Sequence, residues 1–161
     1  MLKYHSSYIG FREIPDEITL CINISNCPNN CKGCHSPWLL KDVGTPITYL
    51  ELMRLIESNK GITCVSFMGG DREPWEIYRL ARLVKEEFPE LKTAWYSGKE
   101  YSKDLEATNL DYIKVGPYIQ ERGGLDSPNT NQTLYLVYTS TNGVSMLIDI
   151  TYKFNNNDNR N

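Results

Sequence analysis

The chain has 161 residues, 40% of them hydrophobic and 23% charged, and 17 basic against 20 acidic side chains give a net charge of −3. That balance fits one folded domain with a real core, and excludes a disordered chain and a protein built to grip nucleic-acid phosphates. The first six residues lack the apolar core of a signal peptide and no apolar stretch could span a bilayer, so a cytoplasmic protein with no membrane partner is expected.

Residues 17–24 read Glu-Ile-Thr-Leu-Cys-Ile-Asn-Ile, a β-branched and apolar run that predicts a strand emptying into a loop. The loop carries Cys27, Cys31 and Cys34 and passes Pro28, Gly33, Pro37, Gly44 and Pro46 before regular patterning resumes. Thr48 and Glu51 form a capping-box pair, and Leu52, Leu55 and Ile56 follow at helical spacing, predicting a helix over residues 49–58. Residues 62–68 form a compact apolar run that stops at Gly69-Gly70-Asp71, as a buried parallel strand does.

Pro74 suits a first helical turn, and the stripe Ile77, Leu80, Ala81, Val84, Phe88 predicts a second helix. Two more strands are read at residues 91–97 and 110–115, separated by a short helical stretch near 99–107. Alternating strands and helices imply a parallel sheet with right-handed crossovers, and four units are too few for eight-fold closure. An irregular stretch through Gly123, Gly124 and Pro128 follows, then strands at 132–138 and 144–152. With no repeat and no linker, one domain over residues 1–154 and a polar tail over 155–161 are expected.

Five cysteines, three of them crowded together, are not a disulfide framework; such a cluster holds metal or does chemistry. Cys27, Cys31 and Cys34 have the spacing C-x3-C-x2-C, which brings three soft thiolates to one centre and leaves a vacancy. Structural zinc and plain ferredoxin clusters use four protein ligands. A cubane held by three cysteines instead keeps one iron open for an outside ligand. Gly33 lets the backbone pass close, and Asn29 and Asn30 allow a tight turn. The alternatives are a Cys3His zinc site completed by His35, in which adjacent ligands would strain the tetrahedron, and free loop cysteines gathered by accident. Cys21 and Cys64, set in apolar runs, read as small core residues.

Gly69 and Gly70 lie at a strand end where parallel sheets bind ligands; they let backbone groups approach a small molecule, and Asp71 offers a carboxylate to an ammonium group. Alone, Gly-Gly-Asp reads more readily as a mere turn.

Taken together, Cys27 to Cys34 and Gly69-Gly70-Asp71 resemble the radical S-adenosylmethionine (SAM) superfamily, and within it the activating proteins of anaerobic ribonucleoside-triphosphate reductases. The segment 32–37 and the pair Asn131-Gln132 are similar to segments of these activases. The resemblance implies an α/β fold, a single-domain, open partial parallel β/α barrel. It also implies a 4Fe-4S cluster on Cys27, Cys31 and Cys34, whose open iron would chelate SAM while Gly69, Gly70 and Asp71 hold its amino group. Reductive cleavage would give methionine and a 5'-deoxyadenosyl radical, which would take a hydrogen from a glycine of the partner reductase. A low-potential donor such as flavodoxin or ferredoxin would supply the electron. His35 would stand near adenine or the cluster, Ser97 near the nucleoside, and Lys114 near the SAM carboxylate; Trp38 and Trp75 would shield the site. Lys114 replaces an acidic residue of the family pattern, and Thr133 follows Asn131-Gln132 where arginine is expected. The other readings are a radical SAM enzyme acting on another glycyl-radical enzyme or a small molecule, and a non-catalytic metal-binding or electron-transfer module.

Overall fold

The computed structural model describes residues 1–101, 109–140 and 145–155. Its strands are β1 (Lys3–Gly10), β2 (Thr19–Ile24), the two-residue β3 (Thr45–Pro46), β4 (Cys64–Met68), β5 (Lys92–Tyr96), β6 (Tyr112–Val115), β7 (Thr133–Thr139) and β8 (Ser145–Asp149). Two α-helices, α1 (Tyr49–Glu57) and α2 (Pro74–Glu87), and two short 3-10 turns, Pro37–Leu40 and Thr151–Phe154, complete the described elements.

All eight strands form one sheet in the order β3-β1-β2-β4-β5-β6-β7-β8. Only β2, β4, β5 and β6 run parallel to one another; β1, β3, β7 and β8 pair antiparallel. This corrects the expected open parallel β/α barrel: the fold is a mixed sheet with two described helices. The physical reason lies at both flanks. β1 enters β2 through a short connection and β7 returns beside β6 without a crossover helix, so these strands must run antiparallel. The helical stretch expected near 99–107 falls largely on residues 102–108, outside the described residues, as does most of the expected tail at 155–161.

The two described helices form for the expected reasons. Thr48 Oγ1 accepts the Glu51 N–H at 3.2 Å and caps α1, and Pro74 opens α2. Leu52, Leu55, Ile77, Leu80 and Val84 pack with Ile22, Phe67, Trp95 and Ile113 on one face of the sheet. Each such side chain stabilises the fold by roughly 1.5–3 kcal/mol on burial. The opposite face carries a second cluster of Ile14, Cys64, Ala94, Tyr112, Leu125, Leu134 and Ile150, covered by loops rather than helices. Among the described residues no helix is long and apolar enough to cross a membrane.

The parallel register aligns Asn23, Met68, Tyr96 and Lys114 as one row near the carboxyl ends of the four central strands. Strand alternation then sends these side chains to the loop-covered face. The cysteine loop, Gly69-Gly70-Asp71, Ser97-Gly98 and Gly116 all follow directly from those strand ends.

Candidate metal centre

The cysteine loop leaves β2 at Ser25 and returns to the sheet edge at β3. Asn26 N donates to Lys41 O at 3.0 Å and Cys27 N to Leu39 O at 2.9 Å, so the loop closes on itself as a hairpin-like arch. Asn26, Asn30 and Gly33 have φ of 61°, 44° and 73°, a left-handed backbone that lets three cysteines turn within eight residues. Cys34 N donates to Cys31 O at 3.2 Å, and Ser36 N to Cys34 Sγ at 3.4 Å.

All five cysteines are free; Cys21 and Cys64 are buried in the core, whereas Cys27, Cys31 and Cys34 are half-buried. Burial pushes the Cys27 thiol up; the Asn29 backbone N–H pulls it down, and Asp71, Cys31 and Cys34 push it up further. The three thiols therefore share one electrostatic neighbourhood. Among the described residues no three His, Cys, Asp or Glu side chains converge as they must on a single metal ion. A cubane asks for less convergence, because each thiolate binds its own iron at a separate corner. Three soft, half-buried, unpaired thiols on a tightly turned loop fit such a group, and Cys27, Cys31 and Cys34 would hold it.

Asp71 lies behind the loop, buried, with its carboxylate at the centre of a polar knot. Oδ1 accepts from Ser97 Oγ at 2.6 Å; Oδ2 accepts from the Gly98 N–H at 2.8 Å and from Asn29 Nδ2 at 2.6 Å. Three of a carboxylate's roughly four acceptor sites are thus used. Gly69 and Gly70 have φ of 104° and 93°. Gly69 N donates to Tyr96 O at 2.9 Å, and the Trp95 indole donates to Gly69 O at 2.7 Å. A β-carbon at residue 70 would meet Ile77 Cδ1 at 2.5 Å. Gly70→Ala is therefore expected to destabilise the protein by about 2 kcal/mol through left-handed strain and overpacking, read as a shifted midpoint in urea.

Lys114 is buried, and Nζ donates to Gly116 O at 2.7 Å and Ser97 O at 3.1 Å. Burial, which disfavours the ammonium ion, pushes Lys114 down to about 8, against upward pulls from Asp71, Cys31 and Cys34. Below pH 8 folded and unfolded chains are both charged, and the folded chain carries the full burial penalty. Between pH 8 and the ordinary 10.5 the unfolded chain holds a proton that the folded chain has released, so this contribution to stability rises with pH. In the cluster-free protein, wild type is expected to gain about 3 kcal/mol relative to Lys114→Met across that window, measured by urea melts.

His35 is exposed, its ring 4.7 Å from that of Tyr118. It also borders a cavity of about 820 Å³ formed with Phe11, Arg12, Glu13, Leu125 and Phe154 on the loop-covered side. Trp38 and Trp75 are 49% and 62% exposed, so neither is a buried shield. Gln132 is buried, with Nε2 3.4 Å from Gly116 O, and Asn131 Nδ2 donates to Pro117 O at 2.9 Å; both brace the end of β6.

The structure thus gathers Ser97, Lys114 and Asp71 behind the cysteine loop, and sets His35 on the loop's outer side. Sequence reading missed Asn29 and Gly98 as members of the knot. Asn29 read only as a turn former, and nothing in its position announces a partner 42 residues away.

A family model described as a 4Fe-4S single cluster domain matches residues 16–126. No curated protein and no solved structure matches the chain.

Proposed function

Because the chain belongs to the 4Fe-4S single cluster domain family, we propose that it is a radical SAM activating enzyme that installs a glycyl radical on an anaerobic ribonucleoside-triphosphate reductase. The observation that carries this reading is the three-cysteine loop standing against the Asp71 knot at the ends of four parallel strands. Three protein ligands leave one cluster position open, which an electron carrier does not need. When bound, the cluster would supply the single electron that cleaves SAM, drawn from a donor such as flavodoxin or ferredoxin.

The chain's own residues would bind and orient. Gly69 and Gly70 turn the chain from β4 into Asp71, whose Oδ1 keeps an acceptor site for an ammonium group. Lys114 and Ser97 fix the neighbouring strand ends through Ser97 O and Gly116 O. The cavity beside His35 gives a loop of a partner protein room to approach.

The test is to mix reduced, cluster-loaded protein and SAM with a purified anaerobic reductase and follow electron paramagnetic resonance. A glycyl-radical doublet that requires SAM supports the reading. Its absence, together with turnover of SAM driven by a small metabolite alone, would point to the small-molecule enzyme instead.

A further inference from the structure

From residue 26 to residue 46 no side chain is fully buried, so hydrophobic packing anchors the loop that carries the cluster ligands only weakly. Polar ties must hold it. Arg72 Nε donates to Asn26 O at 3.1 Å and Lys3 pairs with Asp42 at 3.1 Å, both outside the span of the three cysteines. Inside that span, Asn29 Nδ2 reaches Asp71 Oδ2 at 2.6 Å. Asp71 is itself fixed by two donors that do not belong to the loop, Ser97 Oγ and the Gly98 N–H. Asn29 therefore meets an acceptor already in place. Residue 98 must be glycine for this to happen, because a β-carbon there would collide with the Asn29 amide nitrogen.

We propose that Asn29 is a positioning residue for the cluster, a latch that seats the Cys27–Cys31 span against the ends of β4 and β5. The proposal rests on the cluster of the family and not on SAM chemistry. A hydrogen bond from a neutral amide to a carboxylate is charge-assisted and stronger than a neutral pair. In this partly buried place it limits the conformations that the loop samples without cluster, and so lowers the ordering cost of binding. The latch acts on the loop and leaves the carboxylate where Ser97 and Gly98 hold it.

The experiment loads wild type, Asn29→Ala, Asn29→Asp and Gly98→Ala with iron and sulfide under anaerobic conditions. Loss of the cluster's visible absorption to an added iron chelator is then timed, with circular dichroism melts of the cluster-free proteins alongside. Asn29→Ala and Gly98→Ala are expected to lose cluster about 10-fold faster than wild type while the sheet still melts cooperatively. Asn29→Asp, which sets two carboxylates together, is expected to be at least as fast. Equal loss rates in Asn29→Ala and wild type would overturn the proposal. So would faster loss found only where the cooperative melt has gone.

Discussion

Cys31→Ala, reconstituted with iron and sulfide, is expected to fold as wild type and to hold no stable cluster, with iron and sulfide falling to background. Cys31 is only half-buried and belongs to neither hydrophobic cluster, so its side chain contributes little to the fold. Removing it should change stability by no more than about 0.5 kcal/mol, as for other surface positions. The effect on the cluster is of another order, because two thiolates cannot hold a group that the loop would hold with one fewer protein ligand than a ferredoxin uses. Parallel measurement of iron content and of the urea midpoint separates the two. A cluster retained in Cys31→Ala would remove Cys31 from the ligand set.

Asp71→Ala should give the largest loss of stability at the site. The substitution strands the Ser97 hydroxyl, the Gly98 N–H and the Asn29 amide, and Ser97 is fully buried. One buried donor left without a partner costs about 1–3 kcal/mol, and water can reach the half-buried Asn29 more readily than Ser97. A net loss of about 3 kcal/mol is expected in cluster-free protein, seen as a lower urea midpoint with unchanged slope. The negative charge also supports the Lys114 ammonium ion, so that group should release its proton at lower pH in the variant. An unchanged midpoint would mean that solvent satisfies the knot, and that Asp71 does not organise the strand ends.

The centre of the fold was legible because its signals are local. The Thr48 cap, the two apolar stripes and the compact apolar run of β4 each announce an element within a few residues. The flanks were not. β1 reads Lys-Tyr-His-Ser-Ser-Tyr-Ile-Gly, mostly polar, and forms because β2 pairs along its length and β3 joins its start, a non-local cause. The apolar patterns of β7 and β8 predicted strands but carry no information about direction, so the antiparallel return was invisible and the sheet was read as a barrel. At the site, the cysteine spacing and Gly-Gly-Asp were readable as chemistry. The hydrogen bonds that join Asn29, Asp71 and Ser97 were not, since they depend on the register that brings three strand ends level.

The most direct test of the account is anaerobic reconstitution of wild type and Cys31→Ala, reduction in the presence of SAM, and assay of 5'-deoxyadenosine. The account predicts 5'-deoxyadenosine from wild type and none above background from Cys31→Ala. A reduced, cluster-loaded wild type that leaves SAM intact would contradict it, and would make the chain a carrier of electrons rather than an enzyme.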